Sequence, residues 1–405
     1  MGADEPAVRS GAEVVTTALI TGATGFLGSE ILASLLARDP DVRLVALVRA
    51  RSGVSLARRR QRLVANLPPA HAARVAAVHG DLTRPALGLS PIEYEALVAH
   101  VDRVIHVAAT TSFGHALAEA RRQNVGGTAE ALALCRRLAA EGKSGRLDYV
   151  STAYVAGDRT DLVGEDELDV GQGFRNTYEQ SKFEAEALCR AASDELPIAI
   201  HRPSIIVGGS ATGATSSWKA LYIPMGLIAS FYLRWRPVTR LVPLPLRRDC
   251  PLDIVPVDWV ADAVATLWAR PDAVGRCHHL AAGPEGSVTT EEAVTLACEV
   301  FGEPPRRFLE PSRWVVGVAR AARPLARRLW PRAMALAEPC LPYAVDNPRF
   351  DTTHRRAAGL EPPAFASYFP RVLAYAARHG FGLDASEAEG GGRAEPRTAR
   401  PVAAA

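Results

Sequence analysis

Tyr178 and Lys182, in the segment Asn176-Thr-Tyr-Glu-Gln-Ser-Lys182, stand four residues apart, so any helix that contains them carries both side chains on one face. One is a phenol and the other an ammonium. A phenol titrates near about 10 and becomes a better partner in proton transfer near neutral pH when a cation lies close. Hydride delivery to a carbonyl carbon builds charge on its oxygen, which a donor of this kind neutralises. Ser151 and Thr152 add hydroxyls directly after an apolar run, Arg146 to Val150. Alternation along a strand turns only one of the two toward a cleft, and Thr152 is the preferred one. Asn124 either anchors a water beside Lys182 in a proton relay or caps a helix.

A second pattern lies some 150 residues earlier, as Thr21-Gly-Ala-Thr-Gly-Phe-Leu-Gly28. It follows an apolar β-prone run and opens a helical one, the context in which a glycine triplet holds a dinucleotide pyrophosphate. Gly22 permits the tight turn, Gly25 lets backbone approach the phosphates, and Gly28 lets helix pack on strand. Thr24, Phe26 and Leu27 complete this predicted cradle. The second strand runs Leu44 to Val48 and ends in Arg49-Ala-Arg51, without the acid that would bind the ribose of NAD. Guanidinium groups suit a 2′-phosphate, so the expected cofactor is NADPH. Asp81, after Gly80, either reaches the adenine amino group or caps a turn. Leu82, Ala108, Ala109 and Ile205 are further expected cofactor contacts, the two alanines because small residues let the backbone pass close.

To position these residues the chain must alternate strands and helices. Strands are predicted at Val15 to Thr21, Arg43 to Val48, Val75 to Val78, Val101 to Val107, Arg146 to Val150, Ile198 to His201 and Arg276 to Leu280. Helical patterns include Ser29 to Ala37, Gly126 to Ala139 and Glu179 to Arg190. The predicted fold class is α/β, a doubly wound parallel Rossmann sheet with a smaller, mostly helical C-terminal substrate domain. The expected division places the dinucleotide domain at 14–207 and 255–284 and the substrate region at 208–254 and 285–382. Residues 1–13 and 383–405 are expected to be disordered.

A net charge of +3 over 405 residues makes no case for nucleic acid, and 48% hydrophobic with 22% charged residues reads as a globular protein. Six scattered cysteines have no metal-ligand spacing and read as free thiols, so no metal is expected. The polar start, Met1 to Glu13, lacks signal-peptide character, and no apolar run is long enough to span a membrane. A cytoplasmic location is expected, with the oligomeric state open.

These motifs resemble the extended short-chain dehydrogenase/reductase superfamily over roughly residues 15 to 285. The resemblance is greatest to the branch of fatty acyl-CoA reductases and thioester-reductase domains. It rests on Leu47-Val-Arg49, Gly80-Asp-Leu82 with Leu87-Gly-Leu89, His106-Val-Ala-Ala109, Asn124-Val-Gly-Gly-Thr128, Val150-Ser-Thr-Ala153, Arg202-Pro-Ser-Ile205 and Val255-Pro-Val-Asp258. It implies a catalytic triad of Thr152, Tyr178 and Lys182 with Asn124 as fourth member. It also implies NADPH held in part by the backbone near Pro203, and reduction of an acyl-CoA or acyl-carrier-protein thioester to an aldehyde or alcohol. No fused adenylation or carrier domain is evident, so the acyl group is expected to arrive activated. A ketone or alcohol oxidoreductase, a sugar-nucleotide epimerase and a non-catalytic cofactor sensor are the other readings.

Ala220 to Trp235 reads as an acyl-pocket lining or a core helix. Arg313 to Arg332 carries arginines without acids. It reads as a solvated face or as a surface for an acidic carrier, a CoA phosphate or a peripheral membrane contact. Charge reversal at Arg327 and Arg328 is expected to raise the KM for carrier-bound acyl groups if the second reading holds.

Overall fold

The computed structural model describes residues 16–49, 54–234, 243–244, 246–310, 324, 327–328 and 338–383. The expected disordered stretch at 1–13, Arg51, nearly all of Arg313 to Arg332 and the tail from 384 lie outside the described residues. Leu383, placed in that tail by sequence, donates its backbone N–H to Gly380.

Seven strands form the central sheet: β1 (Thr17–Thr21), β2 (Arg43–Val48), β3 (Val75–His79), β4 (Arg103–His106), β5 (Arg146–Val150), β6 (Ile198–Pro203) and β7 (Cys277–Leu280). Their order is β7-β6-β5-β4-β1-β2-β3, and every neighbouring pair is parallel. The order reverses between β1 and β4, which opens a crevice over their carboxyl ends. Among the described residues the helices of nine residues or more are α1 (Phe26–Arg38), α2 (Leu56–Val64), α3 (Pro91–His100), α4 (Leu117–Ala140), α5 (Thr177–Ala191), α6 (Tyr222–Arg234), α7 (Val257–Trp268), α8 (Thr290–Val300) and α9 (Phe365–Arg378).

Both faces of the sheet are covered, which is why its strands read as apolar runs rather than alternating ones. Ala18 and Ile20 of β1 pack with Leu32 and Leu35 of α1 and Val264 of α7. Leu19, pointing the other way, packs with Leu138 of α4 and Ala185 of α5. Each such leucine contributes about 2–3 kcal/mol by leaving water. Helix α4 starts nine residues before the predicted Gly126, because its glycines serve packing rather than termination. A Cβ on Gly127 would lie 3.4 Å from that of Leu82, so this glycine lets α4 lie close to the loop after β3.

The smaller lobe is mostly helical. Tyr222 of α6 and Tyr368, Phe369, Val372 and Leu373 of α9 share an apolar cluster, against which Leu296 and Ala297 of α8 pack. Helix α8 starts with a capping box, Thr289 with Glu292. From this lobe the chain returns to the sheet domain, where Arg349–Phe350 pairs with Leu162–Val163 and Phe350 is buried beside Tyr154.

Candidate active site

The turn after β1 is built around backbone proximity. Gly22 has φ +72°, and a Cβ there would meet the Ala108 nitrogen at 2.7 Å. A Cβ on Gly28 would lie 2.2 Å from the Gly22 carbonyl oxygen. Thr21 fastens the loop after β4 to this turn, its Oγ1 accepting the N–H groups of Val107 and Ala108 at 3.2 Å each. His106 lies 2.8 Å from the Thr21 hydroxyl through Nδ1, and burial with the nearby Lys182 charge holds its pKa down to about 3, so the ring is neutral. Gly25 caps α1 with no side chain, which leaves the first-turn N–H groups directed at the crevice. Thr24, Gly25 and Ala109 are exposed at the rim, while Phe26 and Leu27 are half-buried beneath. A cradle closed to any Cβ, with an uncapped helix end above it, fits a dinucleotide pyrophosphate.

Arg49 closes β2 at the mouth of this crevice with 57% of its side chain exposed, 3.6 Å from Asp81. Asp81 holds the turn after β3, accepting the Thr83 N–H at 3.0 Å and the Thr83 hydroxyl at 2.8 Å on one oxygen. Burial draws its carboxyl upward, but the Thr83 hydrogen bonds and the Arg49 and Arg84 charges hold it below the usual range. Leu82 packs into the core and Pro203 is buried at the end of β6, with Ile205 half-buried beyond it.

Helix α5 is capped by Asn176, whose side chain accepts the Glu179 N–H at 3.0 Å. This places Tyr178 in the first turn, buried close to the Thr152 side chain at the end of β5. The Thr152 hydroxyl takes the Tyr154 N–H at 3.3 Å and lies 3.5 Å from the Pro203 carbonyl oxygen. Ser151 points to the other side of the strand and donates to Glu186 at 2.7 Å. Lys182 is buried, donates to the Val150 carbonyl at 2.8 Å and sits 4.3 Å from the Tyr149 ring centroid.

The electrostatics correct one expectation. Burial pushes the Tyr178 phenol up to about 12 against the hydrogen bond with Thr152, and Glu179 adds to the rise. Burial also lowers the Lys182 ammonium to about 8, partly offset by Cys189 and Glu186. The lysine therefore does not bring the phenol down toward neutrality; desolvation wins. Tyr178 holds its proton across the physiological range, the state a donor needs. Asn124 is likewise committed: its amide nitrogen donates to the Thr110 carbonyl at 3.2 Å and the Ser181 hydroxyl at 2.9 Å, and its oxygen accepts the Thr110 N–H at 2.8 Å. Its direct bonds join the loop after β4 to α5 rather than reaching Lys182.

Two sets of residues escaped the sequence reading. Glu186, one turn beyond Lys182, is fully buried and accepts from Arg202 at 2.7 and 3.0 Å and from Arg190 at 2.9 Å. Its carboxyl falls to about 2, because the Arg202 charge and hydrogen bonds overcome burial. The repeat Tyr178, Lys182, Glu186 at four-residue spacing was a usable signal. Phe113, whose ring meets that of Tyr178, and Tyr343, which stacks on Phe113, carried none. Arg327, in the stretch 313–332, pairs with Glu338 outside it at 2.7 Å. Among the described residues no three metal-ligating side chains come together, no disulfide joins the cysteines, and no helix is long and apolar enough to cross a membrane.

Residues 20–264 match the family model described as male sterility protein, well over half of the chain. The chain belongs to the male sterility protein family. Members of this family are NAD(P)-dependent oxidoreductases of the extended short-chain dehydrogenase/reductase type, and this chain is one of them. It superposes on the terminal R domain from the myxalamid PKS-NRPS biosynthetic pathway with a TM-score of 0.73 at 30% identity, covering 91% of this chain and 92% of that one. The reductase domain of a non-ribosomal peptide synthetase from Mycobacterium tuberculosis gives 0.65 at 25% identity, with the same 91% and 92% coverage. A linear gramicidin synthase of Brevibacillus parabrevis is 32% identical over 274 residues, 65% of this chain. This family member spans only 5% of that synthase, and 31% and 19% of the next two curated relatives. Within the family the chain is similar to the reductase domains of non-ribosomal peptide synthetases.

Proposed function

We propose that this chain uses NADPH to reduce an acyl thioester, carried on a pantetheine arm of CoA or a carrier protein, to an aldehyde. One observation supports the reading: Thr152 at the carboxyl end of β5 and Tyr178 in the first turn of α5 are buried close together, beside the crevice that the glycine turn borders. Gly22, Gly25 and Gly28 would hold the pyrophosphate and Arg49 the 2′-phosphate. The bound nicotinamide supplies the hydride.

Thr152 and Tyr178 donate to the thioester oxygen as its charge develops, each such donor contributing about 3–4 kcal/mol to the barrier. Tyr178 arrives protonated because of its burial. Lys182, one helical turn beyond Tyr178 and anchored on the Val150 carbonyl, supplies positive charge that offsets the phenol's partial loss of a proton. The carbonyl carbon gains a C–H bond and the C–S bond breaks. The sulfur leaves as thiolate and takes up a proton, giving one aldehyde and one thiol per hydride. Asn124 keeps the loop after β4 in register with α5. The peptide-synthetase relatives support a carrier-bound substrate and the cytoplasm as the place of reaction.

The test follows NADPH absorbance with a panel of acyl-CoAs, acyl-carrier proteins and simple ketones. Consumption that requires a thioester and falls at least about 100-fold in Tyr178→Phe supports the reading. Consumption with ketones alone assigns the chain to carbonyl reduction instead.

A further inference from the structure

We infer that Tyr343 is a positioning residue, which docks the 338–347 segment onto the first turn of the helix bearing Tyr178 and completes an aromatic wall beside it. The inference rests on the reductase reading of the site and adds to it the element that sets the pose of Tyr178.

Tyr343 donates its phenolic proton to Glu179 Oε1 at 2.5 Å and accepts from Asn176 Nδ2 at 2.7 Å. Those two residues are the cap and third position of α5, on either side of Tyr178. The Tyr343 ring stacks on Phe113 at 5.9 Å, and Phe113 in turn meets the Tyr178 ring at 5.9 Å. Tyr154, two residues after Thr152, meets the Tyr343 ring edge-on at 5.4 Å, and the Arg175 guanidinium lies 5.0 Å from its centroid. One side chain thus touches the loop after β4, the turn after β5 and the start of α5, the three segments that frame the proposed reaction. The segment is itself fastened: buried Asn347 donates to the Tyr343 carbonyl at 2.8 Å, and Arg175 donates to the Asp346 carbonyl at 3.1 Å.

The anchor is a carboxylate taken out of water. Glu179 is buried, and the groups around it are Arg175, Tyr343, Tyr154 and Tyr178. Burial raises its carboxyl, and the Tyr343 and Arg175 hydrogen bonds oppose the rise. Removing the Tyr343 hydroxyl leaves the Asn176 amide and one Glu179 oxygen without this partner, while the ring stays. Removing the ring also opens the wall.

The test compares Tyr343→Phe with Tyr343→Leu in the full chain, by steady-state kinetics across pH and by backbone hydrogen exchange. Tyr343→Phe should lower kcat about fivefold while KM for the thioester stays within about twofold, since one hydrogen bond to a charged group is lost and the wall is kept. The acid limb of its kcat profile should move to higher pH, because Glu179 loses a donor that favours its charged form. Exchange at residues 176–181 should quicken. Tyr343→Leu should in addition raise KM about tenfold. Wild-type kcat, pH profile and exchange in Tyr343→Phe would overturn the inference. A wild-type enzyme inert to thioesters would count against the thioester reading alone, with exchange and ketone kinetics still deciding the role of Tyr343.

Discussion

Arg49→Ala separates the two nicotinamide cofactors by a calculable amount. A guanidinium on a 2′-phosphate makes a charge-assisted hydrogen bond, worth about 1.5–3 kcal/mol when well placed. Arg49 keeps 57% of its side chain in solvent, so screening lowers its contribution to about 1–2 kcal/mol. That energy corresponds to roughly a 5–30-fold rise in KM for NADPH. The contact with Asp81 at 3.6 Å is a partly exposed pair. Its loss costs under about 1 kcal/mol and falls on both cofactors alike. The expected result is therefore a selective loss, with KM for NADH unchanged within about twofold. Initial rates at saturating thioester, with each cofactor varied in turn, give both constants. If the two KM values rise together, Arg49 is a structural residue of the β2 end. If neither moves, the assignment of this strand ending to phosphate recognition is wrong.

Two further outcomes follow from buried charge. Lys182 is charged below about 8 and neutral above it, its pKa having been lowered by burial, so kcat should decline as pH rises through about 8. A rate level to pH 9.5 in a stable enzyme would contradict the role given to its ammonium. Arg202→Met leaves Glu186 with Arg190 and Ser151 and should cost about 3–5 kcal/mol, lowering Tm by roughly 4–6 °C. Adding Glu186→Leu should restore much of the loss, because the uncompensated carboxylate is then gone. A single variant as stable as wild type would show that the ion pair contributes nothing.

The sheet was legible because its strands are short apolar runs buried on two faces, punctuated by Gly22, Gly80 and the Ser151-Thr152 hydroxyls. Two strands, Arg43–Val48 and Arg146–Val150, fall where the pattern put them. Helix α4 begins earlier than the pattern from Gly126 to Ala139 showed, and Gly127 serves close packing inside it. The Tyr178–Lys182 spacing located the pair but misled on its electrostatics. Spacing shows which groups are neighbours; it does not show how far burial outweighs a charge. Arg202 was read only within the segment Arg202-Pro-Ser-Ile205, since its partner Glu186 is sixteen residues away in sequence and meets it only where α5 packs on the sheet. Tyr343 was invisible for the same reason, lying 164 residues beyond Glu179.

Isotope transfer tests the central claim most directly. Wild-type enzyme given NADPH deuterated at the transferable position of the nicotinamide, with an acyl thioester, should yield aldehyde bearing one deuterium on its carbonyl carbon. One free thiol should appear for each cofactor oxidised, and both products should fall together in Tyr178→Phe. Thiol release without label in the aldehyde, or label found only in alcohols made from added ketones, would contradict it.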